Sequence, residues 1–233
     1  MTNYLNNQSK TINDFYQKVV SCKNPCTKII NKSGTDWIPR GFYTLCKENR
    51  VKLLIIAKNP SHIANSEKDK YENKSPDEIL LNHFKFMESF FSIDLGNENK
   101  MHRNLLRYLC YLLDIHKDYL KFKTFMNLFS PTLQQQVFQQ CVFTNLVKCS
   151  TKDKQAKLSS YKEDANSCFH NFLQKEIELF NPRLILCLGG EVFNFITKNV
   201  NTDISIEMIK HPSYFYENDM REILLNIKRN LLS

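Results

Sequence analysis

With 233 residues, 42% of them hydrophobic and 12% aromatic, the chain can bury one sizeable core, which excludes a disordered protein. Thirty-two Lys and Arg against 24 Asp and Glu give a net charge of +8, which favours a polyanionic partner. There is no apolar run long enough to span a bilayer and no signal-peptide core after Met1. No membrane partner and a cytoplasmic location are therefore expected, and the eight cysteines read as metal ligands or core residues, not disulfides.

Apolar Ile12, Phe15, Val19 and Val20 recur at helical spacing and predict a helix over 9–21, running into Cys22-Lys-Asn-Pro-Cys26. That C-x3-C knuckle is a weak metal half-site by itself. Residues 27–50, with Gly34, Pro39 and Gly41 around the single Trp37, read as irregular. Leu53-Leu54-Ile55-Ile56 then predicts a strand buried on both faces, as a parallel sheet requires. It stops at Asn59-Pro60-Ser61, where Pro60 forces Asn59 out of the α region.

Ser75 before Pro76-Asp77-Glu78 is an N-cap signal for a helix to about Ser89. Helical patterns follow over 101–114 and 117–128, and Pro131 starts another. Val142–Val147 is a second strand, emptying into Lys148-Cys149-Ser150. One long helix is predicted over 161–180, broken by Asn181-Pro182. Leu184–Leu188 is a third strand, turning through Gly189-Gly190 into a helix over 191–198 with no dinucleotide fingerprint. A fourth strand, Ile204–Ile209, empties into His211-Pro212-Ser213, and a helix from about Asp219 closes the chain. Strands alternating with helices predict a single α/β domain over 1–233, a four-stranded parallel sheet flanked by helices. Ligands of such sheets bind outside the carboxyl ends of the strands, where Asn59, Asn145 and His211 fall.

In this order, Ala57-Lys58-Asn59-Pro60-Ser61, Phe143–Cys149, Asn181-Pro182-Arg183 through Gly189, and His211-Pro212-Ser213 resemble the four motifs of the uracil-DNA glycosylase superfamily. The resemblance covers about residues 50–231 and is nearest the iron–sulfur, thermophile-type enzymes. It implies an enzyme that cleaves the N-glycosidic bond of uracil or a related modified pyrimidine in DNA, single- or double-stranded, acting as a monomer. It implies that Asn59 positions the attacking water and that His211 stabilises the anion on the leaving base. Asn145 would read the base edge with an amide that both donates and accepts, within a pocket shared with Ala57, Lys58 and Pro60 and floored by Tyr71. Ser61, Lys148, Ser213, Tyr214 and Phe215 would meet the DNA, the aromatics as wedges for a flipped base.

The resemblance also implies a [4Fe–4S] cluster on Cys22, Cys26, Cys149 and Cys168, with zinc as the alternative for four thiolates. Cys110, Cys141 and Cys187 read as core residues, and Cys46 as core or a spare ligand. The first motif departs from the iron–sulfur group's Gly-Glu-Ala-Pro-Gly; its Asn59 resembles the mismatch-specific and single-strand-selective types, Gly-x-Asn-Pro-Gly. Ala57 and Ser61 replace both glycines, which changes how closely backbone can approach the base. A bulkier modified base is therefore a second substrate class. A catalytically silent nucleic-acid binder, or a zinc-stapled domain for a small nucleotide, are the readings from other classes.

Overall fold

The computed structural model describes residues 10–22, 26, 42–47, 50–58, 74–90, 100–115, 130–149, 156–213 and 217–232. Helix α1 (Lys10–Val20) buries Ile12, Tyr16, Val19 and Val20, a stripe at i, i+4, i+7 and i+8. Tyr16 meets Phe42 edge-on at 5.3 Å between ring centroids, and Phe42 meets Phe180 at 4.7 Å, which ties α1 to the core. Strand β1 is Leu53–Ala57, buried throughout.

Helix α2 (Pro76–Phe90) opens on a reciprocal cap. The Glu78 N–H donates to Ser75 Oγ at 3.3 Å, and the Ser75 N–H donates to Glu78 Oε2 at 2.9 Å, so two of the orphan donors at the helix start are satisfied. The Ser75 N–H, and after it the Ser75 hydroxyl at 3.0 Å, hold the Glu78 carboxyl below its ordinary pKa. Helix α3 (Lys100–Leu112) is buried along most of its length against α4 (Pro131–Phe138) and the last helix of the chain. Ser130 caps α4 by accepting the Leu133 N–H at 3.2 Å.

Strand β2 (Cys141–Asn145) is an edge strand, but its outer side is covered. Tyr43 and Phe143 exchange backbone bonds of 2.7 and 2.9 Å, and Thr44 Oγ1 donates to the Cys141 carbonyl at 2.9 Å. Segment 42–46 thereby occupies bonding groups that an exposed edge would offer to another chain.

The single helix predicted over 161–180 is a continuous helical run of several parts: a 3-10 turn (Leu158–Tyr161), α5 (Lys162–Cys168), a π turn (Phe169–Leu173) and α6 (Gln174–Phe180). Its buried residues Ala165, Phe169, Leu173 and Ile177 recur every fourth position. In a straight α-helix such a stripe would drift by about 40° per step, and one wide turn absorbs part of that drift. Asn181, left-handed at φ +38°, ends the run.

Strands β3 (Leu184–Leu188) and β4 (Ser205–Ile209) flank α7 (Gly190–Asn199), and α8 (Glu217–Leu232) packs on α3 and β4. The sheet order is β2-β1-β3-β4, all parallel, which is the architecture expected from the sequence. The chain moves from β1 to β2 in one direction and from β3 to β4 in the other, so the direction reverses between β1 and β3. Right-handed crossovers then place their helices on opposite faces and leave a crevice at that reversal. No helix among the described residues is long and apolar enough to cross a membrane.

Candidate active site at the strand ends

The sheet register brings the carboxyl ends of the strands to one edge. Ala57 lies opposite Asn145, Ile56 opposite Cys187, and Leu188 opposite Ile209. Pairing continues past the strands: the Leu146 N–H donates to the Ala57 carbonyl at 2.8 Å and the Val147 N–H to the Lys58 carbonyl at 3.0 Å. On the far side the Gly189 N–H donates to the Ile209 carbonyl at 2.9 Å. Gly189 has φ +96°, a conformation that glycine adopts without strain, and this lets β3 turn at once into α7.

At the crevice between β1 and β3, Lys58 reaches across. Its Nζ lies 3.1 Å from Glu191 Oε2 and donates to the Ala156 carbonyl at 2.9 Å, while Glu191 Oε1 accepts the Leu158 N–H at 3.0 Å. The pair therefore pins the segment 156–158 over the strand ends. Its side chains keep 27% and 45% exposure, so it stays in contact with solvent.

His211 follows β4 and is exposed, whereas Pro212 beside it is buried and Ser213 is exposed. The Ser213 N–H donates to His211 Nδ1 over a long 3.4 Å. With Nδ1 accepting, the proton sits on Nε2, which leaves an N–H to offer outward. Desolvation by the surrounding protein, followed by the Lys58 charge, lowers the His211 pKa and keeps the imidazole neutral at pH 7. Beneath it, His102 of α3 is 1% exposed; its burial, and then His211, drive its pKa down to about 3. Asn104 of the same helix donates from Nδ2 to the Pro212 carbonyl at 2.7 Å.

Asn145 is buried at the end of β2, in register with the Ala57 that precedes Lys58. Ala57 and Asn145 thus sit side by side at the strand ends, Lys58 follows Ala57 there, and His211 lies near Lys58. Asn59, Pro60, Ser61, Tyr71, Tyr214 and Phe215 lie outside the described residues.

Lys148 is not where a DNA contact would need it. Its Nζ is buried, 2.7 Å from both oxygens of the Glu176 carboxylate and 2.7 Å from Thr144 Oγ1, which itself donates to Glu176 at 2.8 Å. The side chains of Lys148 and Glu176 are 1% and 0% exposed. A charge drawn out of that network would leave its partner unpaired in the core, which is why the lysine stays inside. The sequence holds a signal for this: Glu176 interrupts the apolar stripe of Phe172, Leu173, Ile177 and Phe180, and a carboxylate there needs a cation.

None of the eight cysteines is in a disulfide, and Cys26, Cys149 and Cys168 are buried while Cys22 is partly so. Among the described residues, no three His, Cys, Asp or Glu side chains stand close enough to hold a metal ion. Cys46, Cys110, Cys141 and Cys187 are core residues. Burial raises the thiol pKa of Cys187 to about 12 and also raises that of Cys141, and Cys141 Sγ donates to the Val137 carbonyl at 3.2 Å. These thiols are protonated and inert.

Sequence reading missed Glu191, His102 and Asn104. For Glu191 the signal was its place in the first turn of the helix that leaves β3 at the crevice; for His102 and Asn104 it was two polar residues on a helix with little exposed surface.

No curated protein matches the chain. The sequence model of the Uracil DNA glycosylase superfamily matches residues 43–228, well over half of the length, from the segment that covers β2 to the last helix. The chain belongs to the Uracil DNA glycosylase superfamily.

Proposed function

We propose that the protein is a monofunctional DNA glycosylase that hydrolyses the N-glycosidic bond of uracil or a related modified pyrimidine and leaves an abasic site. The observation that carries this is the meeting of Ala57, Lys58 and Asn145 at the strand ends with a neutral His211 near Lys58, whose Nε2–H is not used in the Ser213 contact. Cleavage passes through an oxocarbenium-like sugar: the C1′–N bond breaks, the base takes the electron pair, water adds to C1′, and the water's proton ends on the departed base. A preset N–H donor is suited to the negative charge that develops on the base.

In this reading His211 supplies that donor, Asn59 holds the water and Asn145 reads the edge of the flipped base, over a floor provided by Tyr71. Lys58 adds a positive charge beside the leaving group, at a rim where Glu191 keeps it placed but in contact with solvent. Ser213, Tyr214 and Phe215 belong to the loop that meets DNA, and the net charge of +8 favours that polyanion. Ala57 and Ser61 in place of the family's glycines are the feature behind the alternative substrate class, a bulkier modified base.

The iron–sulfur subtype is the closest match of the Cys22, Cys26, Cys149 and Cys168 pattern. In support, all four thiols lie outside disulfides and three are buried, and α1, which leads into the Cys22–Cys26 pair, lines one groove with α6, the continuation of the helix that carries Cys168. Zinc is the alternative for four thiolates, held around a single ion at about 2.3 Å. Such a cluster would tie the N-terminal segment to the loop after β2. A cysteine-ligated cluster predicts an absorbance shoulder near ~400 nm that disappears when these cysteines are replaced.

The test of the activity is alkali-induced strand cleavage of single- and double-stranded oligonucleotides that carry uracil or bulkier modified pyrimidines, with Asn59→Ala beside the wild type. Cleavage that vanishes in the variant, with DNA still bound, supports the reading. DNA binding with no cleavage of any substrate would leave the silent binder as the correct one.

A further inference from the structure

We propose that Asn104 is a positioning residue for base release, acting through one peptide plane to fix the proton that His211 presents. This rests on the role given to His211 above. Asn104 is 3% exposed on α3, and its Nδ2 donates to the Pro212 carbonyl at 2.7 Å across 108 positions of the chain. That carbonyl belongs to the same peptide unit as the Ser213 N–H, and it is this N–H that donates to His211 Nδ1.

A trans peptide is planar, with its C=O and N–H pointing to opposite sides; no cis peptide occurs among the described residues. Holding the oxygen from the buried side therefore aims the N–H outward, at the imidazole. Nδ1 is then occupied as an acceptor and the proton is confined to Nε2. The surroundings agree: Pro212 is buried between exposed His211 and Ser213, so the turn is anchored at its middle and offers both flanks to a ligand. Without the amide the plane can rotate, the Nδ1 contact loosens, and a fraction of the imidazoles presents a lone pair where an N–H is needed.

The experiment compares wild type, Asn104→Ala, Asn104→Asp, Ser213→Pro and the Asn104→Ala, Ser213→Pro double variant. Asn104→Asp keeps the shape and loses the donor; Ser213→Pro removes the N–H from the other side of the plane without touching α3. Three quantities are read: the His211 tautomer from side-chain nitrogen chemical shifts, the single-turnover rate of base release, and DNA affinity. Wild type should show the Nε2–H tautomer, and each variant a mixture. Release should slow by about 10- to 100-fold, the range for a slightly misplaced group, while the DNA affinity of the two Asn104 variants changes less than about threefold; Ser213→Pro, on the loop that meets DNA, is read by tautomer and by rate at saturating protein. The Asn104→Ala and Ser213→Pro losses should not add, because both act on one plane. A folded Asn104→Ala protein that keeps both tautomer and rate would overturn the proposal, as would additive losses. Should Asn104→Ala not fold, Ser213→Pro and Asn104→Asp decide by the same criteria. If wild type releases no base at all, the glycosylase reading fails separately, and the tautomer alone then decides whether Asn104 positions the imidazole.

Discussion

Two lysine–glutamate pairs stand at the carboxyl edge of the sheet, and they do opposite things. Lys148–Glu176 lies at 2.7 Å with almost no exposed surface; Lys58–Glu191 lies at 3.1 Å with a quarter to a half of each side chain in solvent. In the first, neither charge can leave, because the one left behind would stay buried and uncompensated. In the second the pair is worth little, so Lys58 can exchange Glu191 for a phosphate or a base anion at small cost. Burial decides which lysine is scaffold and which is available. By the same contrast, His211 is accessible and His102 beneath it is sealed, though α3 and the loop after β4 hold both close together.

The two pairs should respond differently to truncation. Glu176→Ala should cost about 3–5 kcal/mol of stability, seen as a large fall in the denaturation midpoint, and replacing Lys148 and Glu176 together by Met and Leu should recover most of it. An effect below about 1 kcal/mol would mean that the pair is not dry. His211→Ala should slow single-turnover base release by about 10²- to 10³-fold with little change in thermal stability, since the side chain is exposed.

Acid sharpens the contrast between the histidines. His102 has its folded pKa depressed from 6.5 to about 3, so the unfolded chain binds a proton that the folded one refuses. The stability is complete above about pH 6.5 and falls by about 1.4 kcal/mol per unit as pH drops toward 3. His102→Gln should flatten that slope in urea titrations run at several pH values; an unchanged slope would show that other groups carry it. The smallest effect belongs to the rim. Glu191→Gln should change stability by less than about 1 kcal/mol, and Lys58→Met should lower the salt slope of DNA binding by about one.

The frame was legible because its signals are local. β1, β2 and β3 are apolar runs that end on a turn, and Ser75 with Pro76 and Pro131 mark where two helices begin. Asn145 and His211 could be placed at strand ends for the same reason. What was not legible depends on partners distant in sequence. Lys148 looks like a surface lysine until Glu176, 28 positions on, is packed over it; Asn104 gains a role only when Pro212 comes beside it. The irregular stretch before β1 gave no hint that 42–46 would cover the β2 edge, since its signals were turn residues and the pairing is with Phe143. The wide turn inside 161–180 was hidden because a fourfold apolar spacing reads as helix whether or not one turn is wide.

In the proposed reaction, base release occurs at the strand ends and uses the neutral imidazole of His211. The most direct test is single-turnover release of uracil from a single-stranded oligonucleotide at pH 7 by wild type, His211→Ala and Lys148→Met with Glu176→Leu. Release by wild type and by the repacked core variant, with a loss of at least about 10²-fold in His211→Ala, is the predicted result. Release that survives in His211→Ala, or that is lost with the buried pair while DNA still binds and the fold is intact, would contradict it.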